Sequence, residues 1–165
     1  MGNTTKILLT AFRGSSAEWL LKGFENYELL LLPNDKIKDS ELLIEAISGK
    51  NYDYIISFGQ RPSIKDKVHI ETTAREGDFS IKTNVDCEQL KAQLEQHGVP
   101  AKLSHNAGTS FCNQLYLNGL KYIKQNELDT KMVFIHIPYL KNISDWKFLS
   151  SAIVKEIDSI LLKGE

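Results

Sequence analysis

The sequence lacks the long apolar run that a membrane-spanning helix requires. Apolar runs such as residues 29–32 are the length of a short strand, whereas a span needs about 20 residues. Cysteine is scarce as well, because Cys87 and Cys112 are too few for a disulfide scaffold and form no Cys-x-x-Cys pair for zinc. We therefore expect no membrane association, a reducing compartment and a cytoplasmic location.

An excess of basic residues is also missing. Lys and Arg number 20 against 21 Asp and Glu, a net charge of −1, and this balance argues against a nucleic-acid partner. The chain contains no Gly-x-Gly-x-x-Gly or P-loop pattern, no Gly-x-Ser-x-Gly elbow and no histidine-based metal motif. We therefore expect no nucleotide cofactor, no metal and no serine nucleophile of that class.

Length and periodicity predict one α/β domain over residues 1–165. Apolar runs predict strands at 6–10, a buried strand at 27–32, and further strands at 52–58, 101–104 and 132–137. Helical spacing and capping residues predict helices at about 16–24, 40–47 with Asp39 as cap, 85–97, 110–124 and 144–163. The irregular segment 61–82 is a candidate antiparallel hairpin. The β-α-β-α-β start indicates a three-layer α/β/α sandwich around a mixed, mainly parallel sheet.

Cys112 is the first candidate for chemistry, because it follows a tight loop and opens a predicted helix. Unpaired N–H groups and the positive dipole end of a helix favour a thiolate and can stabilise an oxyanion. The alternative is a buried cysteine that only fills core space.

His136 is the second candidate, because it interrupts the apolar strand 132–137 near its end. A histidine in that place can accept a thiol proton, and the alternative is a hydrogen-bonded core histidine. His105, in the loop before Cys112, is the main rival base. His69 alternates with apolar neighbours, which predicts that it faces solvent. His97 lies in a helix end and is interpreted as structural.

Two segments resemble the motifs of one family, pyroglutamyl peptidase I. Residues 104–113, Ser-His-Asn-Ala-Gly-Thr-Ser-Phe-Cys-Asn, are similar to its nucleophile motif S-N-T-A-G-T-x-x-C-N. Residues 134–140, Phe-Ile-His-Ile-Pro-Tyr-Leu, are similar to its histidine motif F-I-H-V/I-P-Y-L. Weaker similarities are Gly-Val-Pro-Ala at 98–101, the start at 6–12 and Gly-Gln at 59–60.

The resemblance implies a role for each matching residue. Cys112 would be the nucleophile and His136 the general base, and Asp66 aligns with the family's third member, a Glu. Glu71 takes that place only if the register differs. The resemblance further implies that Arg75 lies near the oxyanion and that Phe12 and Gln60 lie on the substrate side of the site.

The substrate loops depart from the family pattern. The family's P-F-G-G and N-P-S-W stretch has become residues 14–19, Gly-Ser-Ser-Ala-Glu-Trp, and its G-Q-A-G-G-R turn has become Gly-Gln-Arg-Pro at 59–62. The resemblance thus implies a cysteine peptidase that hydrolyses an N-terminal pyroglutamyl, or similar small acyl, amide without a cofactor. Alternatives are another amidase or a non-enzymatic binding module. Relatives are often oligomeric, so a homo-oligomer is a further open expectation.

Overall fold

A computed structural model describes residues 5–108 and 110–163 of the chain, with side chains through residue 160. Outside the described residues lie 1–4, part of the expected cytosolic start, and Thr109, in the loop before Cys112. The strands are β1 (Ile7–Phe12), β2 (Glu28–Leu32), β3 (Tyr54–Arg61), β4 (Val68–Glu71), β5 (Thr73–Glu76), β6 (Phe79–Lys82), β7 (Ala101–Ser104) and β8 (Lys131–Pro138). The helices are α1 (Ser16–Leu21), α2 (Lys36–Gly49), α3 (Cys87–Gln96), α4 (Phe111–Gln125) and α5 (Trp146–Lys163).

Six strands form one sheet in the order β2-β1-β3-β8-β4-β7. All neighbours in it are parallel except β4 and β8, which are antiparallel. The mixed, mainly parallel sheet is therefore confirmed. The expected hairpin between residues 61 and 82 is confirmed in part, since β5 and β6 pair as a separate antiparallel hairpin while β4 joins the main sheet.

Each face of the sheet is covered by its own apolar cluster. On one face, β-strand residues such as Ile135 pack against α1, α3 and α5. On the other face, residues such as Phe134 pack against α2, α4 and the hairpin. Neighbouring residues of a strand point to opposite faces, so the near-continuous apolar sequence of β8 serves both clusters. This arrangement confirms the three-layer sandwich.

Two local expectations were wrong. Asp35, not Asp39, caps α2, because its Oδ1 accepts the N–H groups of Ile37 and Lys38. Asp39 turns inward, is buried, and accepts N–H groups from the chain just before the helix. β2 is an edge strand rather than a fully buried one, so two of its four leucines are exposed.

None of the helices in the described part of the chain is both long enough and apolar enough to cross a bilayer.

Candidate active site

The candidate site lies where three parallel strands end. β1, β3 and β8 run side by side in the same direction, and the register places Gly59 next to His136. Carboxyl ends of parallel strands meet at one edge of a sheet, which is where α/β proteins collect their functional side chains. The first turn of α4 carries Cys112 to the same edge, directly over Gly59.

The imidazole of His136 is bonded to a carboxylate from the neighbouring strand. Its Nδ1 lies 2.9 Å from Oε1 of Glu71, and both side chains are buried. Because β4 is antiparallel to β8, Glu71 pairs with Phe134 and is the diagonal neighbour of His136, a separation that a long side chain spans. A carboxylate only accepts, so Nδ1 donates and Nε2 keeps a lone pair for a proton.

Asp66 does not occupy the position that the resemblance assigned to it. Its carboxylate accepts two hydrogen bonds of 2.6 Å, from the backbone N–H and the hydroxyl of Ser144. The side chain is exposed, and these two donors hold the pKa of the carboxyl below its usual range. Its backbone is left-handed, with φ 52°. Asp66 therefore ties the loop before β4 to the chain before α5, and Glu71 is the partner of His136.

Gly59 lets the nucleophile candidate approach the sheet. A Cβ at this position would lie 2.7 Å from Sγ of Cys112 and 2.8 Å from the ring of Phe134. The Phe134 ring in turn contacts the His136 ring, with 4.9 Å between centroids. Sulfur, phenyl and imidazole thus converge on one glycine, which explains why only hydrogen fits there.

The surroundings of Cys112 raise the pKa of its thiol and so oppose the thiolate that the helix start favours. Burial, followed by the negative charge of Glu71, raises its pKa to about 12, although its own N–H and Arg61 act in the opposite direction. Within the described residues, Sγ makes no hydrogen bond to His136. A helix N-terminus favours a thiolate, but desolvation of a mostly buried sulfur outweighs that contribution here.

Alkylation of Cys112 by iodoacetamide is expected to be slow at pH 8 and to accelerate through pH 11. Only the thiolate reacts, and a pKa of about 12 leaves it rarer than in a free thiol of pKa about 8.5 by about 10³-fold at pH 8. The measurement is the labelling rate against pH in a Cys87→Ala background, so that Cys112 reports alone.

Burial also raises the pKa of Cys87, to about 11, so its labelling would overlap with that of Cys112 and it is removed from both proteins. The blank is therefore the Cys87→Ala/Cys112→Ala double variant. A labelling rate that levels off below pH 9 would contradict the raised pKa of Cys112.

A cleft of about 360 Å³ opens beside the sulfur. Its walls come from the start of α1, from β3 and from the start of α4: Phe12, Arg13, Ser15, Asn34, Gln60, Ser110, Phe111, Cys112 and Tyr139. The structure thus brings two predicted substrate-side residues to the cleft. Phe12 packs on Phe111, with ring centroids 6.5 Å apart, and Gln60 accepts the N–H of Ser16 through Oε1, so its amide NH₂ remains available as a donor.

Arg75 and His105 do not line this cleft. Both belong to the region of the loop between β7 and α4. The backbone of Arg75 exchanges two hydrogen bonds with the side chain of Asn113, next to Cys112 in α4. Its Nε donates to the carbonyl of His105. The ring of His105 is engaged with the hydroxyl of Thr72 at 2.7 Å. His105 is therefore positioned as a loop residue, and the oxyanion role of Arg75 stays a prediction.

Sequence reasoning missed the role of two polar residues of this region, Arg61 and His69. Arg61 ends β3 and its Nη1 lies 3.1 Å from Oε1 of Glu71. The sequence signal for Arg61 was its position as a charged residue at the end of a buried strand. His69, expected to face solvent, is buried opposite His136, and neither of its ring nitrogens has a partner among the described residues. Burial, and then Arg61, lower the pKa of His69, so it stays neutral.

No group of three or more His, Cys, Asp or Glu side chains in the described ranges is placed to hold a metal ion. The polar groups that converge on the site are an imidazole, a carboxylate, a guanidinium and a thiol, which is a set for proton transfer and nucleophilic attack.

Comparison with known proteins identifies the family of this chain. The model of the pyroglutamyl peptidase family matches residues 63–155. Pyrrolidone-carboxylate peptidase 2 of Caldanaerobacter subterraneus is 30% identical over 82% of this chain and 82% of its own length. The corresponding peptidase of Fusobacterium nucleatum is 29% identical over 72% of this chain and 65% of its length.

Solved structures share the fold. Pyroglutamyl peptidase I of Bacillus amyloliquefaciens superposes with a TM-score of 0.81 at 20% identity, covering 98% of this chain and 95% of that one. Pyrrolidone carboxyl peptidase of Fervidobacterium islandicum has a TM-score of 0.80 at 20% identity, covering 96% and 98%. The chain has the α/β fold of cysteine peptidases of this type. It belongs to the pyroglutamyl peptidase family.

Proposed function

We propose that this protein is a cysteine peptidase that hydrolyses an N-terminal pyroglutamyl, or similar small acyl, amide. The observation that carries the proposal is the bond from His136 to Glu71, which orients a base on the strand position beside the glycine under Cys112. Membership of the peptidase family supports the reaction class. Residues 1–165 would act as a single cytosolic domain, alone or as a homo-oligomer.

In the first half-reaction, Sγ of Cys112 attacks the carbonyl carbon of the acyl group. Because burial raises the pKa of the thiol, Nε2 of His136 takes its proton as the carbon–sulfur bond forms. Glu71 accepts from Nδ1 and stabilises the resulting imidazolium. The oxyanion is stabilised by N–H groups of the first turn of α4, where Ser110 makes no side-chain cap bond, with Arg75 as a further candidate donor.

The first half-reaction ends when the amine leaves, and in the second half-reaction water releases the acyl group as an acid. The imidazolium of His136 gives its proton to the nitrogen of the leaving amine, the carbon–nitrogen bond breaks, and a thioester on Cys112 remains. Water then attacks the thioester carbon while His136 takes a proton from it. The carbon–sulfur bond breaks, and the sulfur regains a proton from the imidazolium.

The cleft has the character that a small flat acyl group requires. Phe12, Phe111 and Tyr139 supply apolar walls, and Gln60 supplies an oriented donor. Arg13 is the one charged side chain that lines the cleft, and it forms no ion pair with the carboxylates of the described residues. This cation favours a second candidate function, an amidase for small acyl groups that carry a carboxylate.

The test is a panel of chromogenic amides: pyroglutamyl, acetyl and succinyl. Release of chromophore from the pyroglutamyl amide, above a Cys112→Ala blank, is expected for the first function. Cleavage of the succinyl amide alone, reduced in Arg13→Gln, would support the second. Wild-type rates equal to the blank on every amide would reject both.

A further inference from the structure

Arg61 contacts two parts of the site at once. Its Nη1 lies 3.1 Å from Oε1 of Glu71 and 3.1 Å from the carbonyl oxygen of Asn106. Asn106 belongs to the loop that leads into α4 and its cysteine. Only about a quarter of the Arg61 side chain is exposed, and the Glu71 side chain is fully buried.

The oxygen that Arg61 holds is the one that His136 uses. Nδ1 of His136 and Nη1 of Arg61 both donate to Oε1 of Glu71, while Oε2 has no partner among the described residues. Both hydrogen bonds fall on one oxygen, and the other oxygen accepts none from the described residues. The position of the carboxylate therefore depends on both donors. Removing either donor leaves a buried carboxylate held from one side only.

Resting on the proposed function, we infer that Arg61 is a positioning residue that holds the Glu71 carboxylate in place for His136 and compensates its charge. A buried carboxylate needs a compensating cation. In the proposed mechanism His136 carries a positive charge only after it takes a proton from Cys112. In the neutral stage it cannot supply the charge, and nor can His69, whose pKa burial lowers. Arg61 is therefore the cation that keeps Glu71 ready before each proton transfer.

Arg61 would act on the orientation of His136 and not on the binding of substrate. Arg61 does not line the cleft beside Cys112, so its loss should lower kcat and leave KM within about twofold. The contact with Asn106 offers a different role, in which Arg61 only secures the loop. A loop role would act independently of Glu71, whereas a positioning role requires Glu71 to be ionised.

The experiment compares Arg61→Gln with Arg61→Lys, in the wild-type chain and in Glu71→Gln. The glutamine retains a donor for the Asn106 carbonyl but no charge, and the lysine retains the charge without the planar fork. In the wild-type chain we expect R61Q to lower kcat by about 10- to 100-fold and R61K by less. In the Glu71→Gln chain R61Q should cost less than about twofold, since interacting residues are not additive. An equal cost in both chains would overturn the inference.

A spectroscopic readout works even if the protein hydrolyses none of the amides tested. A histidine Nδ1–H that donates to a buried carboxylate gives a low-field proton resonance in the NMR spectrum, assignable through His136→Ala. The signal is expected in the wild type and in R61K and to be lost in R61Q. Its survival in R61Q, in protein with an unchanged melting temperature, would also overturn the inference, independently of the proposed function.

Discussion

Replacing His136 with alanine is expected to lower kcat/KM for amide hydrolysis at pH 7 by about 10³- to 10⁴-fold. The size of the loss depends on the pKa of the Cys112 thiol as well as on the missing imidazole. Because burial raises the pKa of Cys112 to about 12, almost no thiolate exists at neutral pH, and without the imidazole no nearby group removes the proton. The measurement is the steady-state rate with a chromogenic amide that the wild type cleaves.

The same variant should regain activity as the pH rises. Hydroxide can then form the thiolate, so the rate should climb about tenfold for each unit of pH until it nears the thiol pKa of about 12. Cys112→Ser, with its less acidic hydroxyl, provides the matched control and should show no such rise. A His136→Ala rate that stays flat between pH 7 and 10, or remains within tenfold of the wild type, would contradict this mechanism.

Replacing Glu71 with glutamine is expected to affect hydrolysis and alkylation in opposite directions. Hydrolysis should fall by about 10²- to 10⁴-fold, because an amide cannot stabilise the imidazolium of His136 and can hold the wrong tautomer. Alkylation of Cys112 should become faster, since the charge of Glu71 is, after burial, the second cause of the raised pKa of that thiol. The check is to measure both rates on one preparation, where hydrolysis should be slower than in the wild type and alkylation faster.

Asp66→Asn is the matched control, because both substitutions replace a carboxylate by its amide in the same stretch of chain. Asp66 contacts Ser144 and not His136, so hydrolysis should stay within about twofold of the wild type. Its folded pKa is depressed, so the stability that it adds is present at neutral pH and is lost as the pH falls through its folded pKa. Hydrolysis that falls as far in Asp66→Asn as in Glu71→Gln would restore Asp66 as the partner.

Strands and helices with strong periodicity could be predicted, whereas edges and caps could not. β7 was predicted at the residues where it occurs, and β8 and α4 were predicted to within one residue at each end. The alternating burial of β2 was missed because a run of leucines has the same pattern in a covered strand and in an edge strand. The cap of α2 was assigned to Asp39 instead of Asp35 because both are acceptors near the helix start.

The raised pKa of Cys112 also lay beyond sequence reasoning. A cysteine in the first turn of a helix is favoured as a thiolate by local charges, and those local charges are all that the sequence displays. Its ionisation depends as well on how much water reaches the sulfur and on which charges face it. Those depend on Gly59 and Glu71, residues that lie far from it along the chain.

The chain's own order of residues determined the layered α/β class, the positions of Cys112 and His136 and the family resemblance, because these depend on local periodicity and short contiguous motifs. Only the tertiary structure decided which carboxylate meets the imidazole and which cation meets that carboxylate. β4 enters the sheet antiparallel to β8 and brings Glu71 to the His136 ring, whereas Asp66 lies in the loop before β4 and bonds Ser144. Strand direction results from long-range pairing, which no local stretch of sequence specifies.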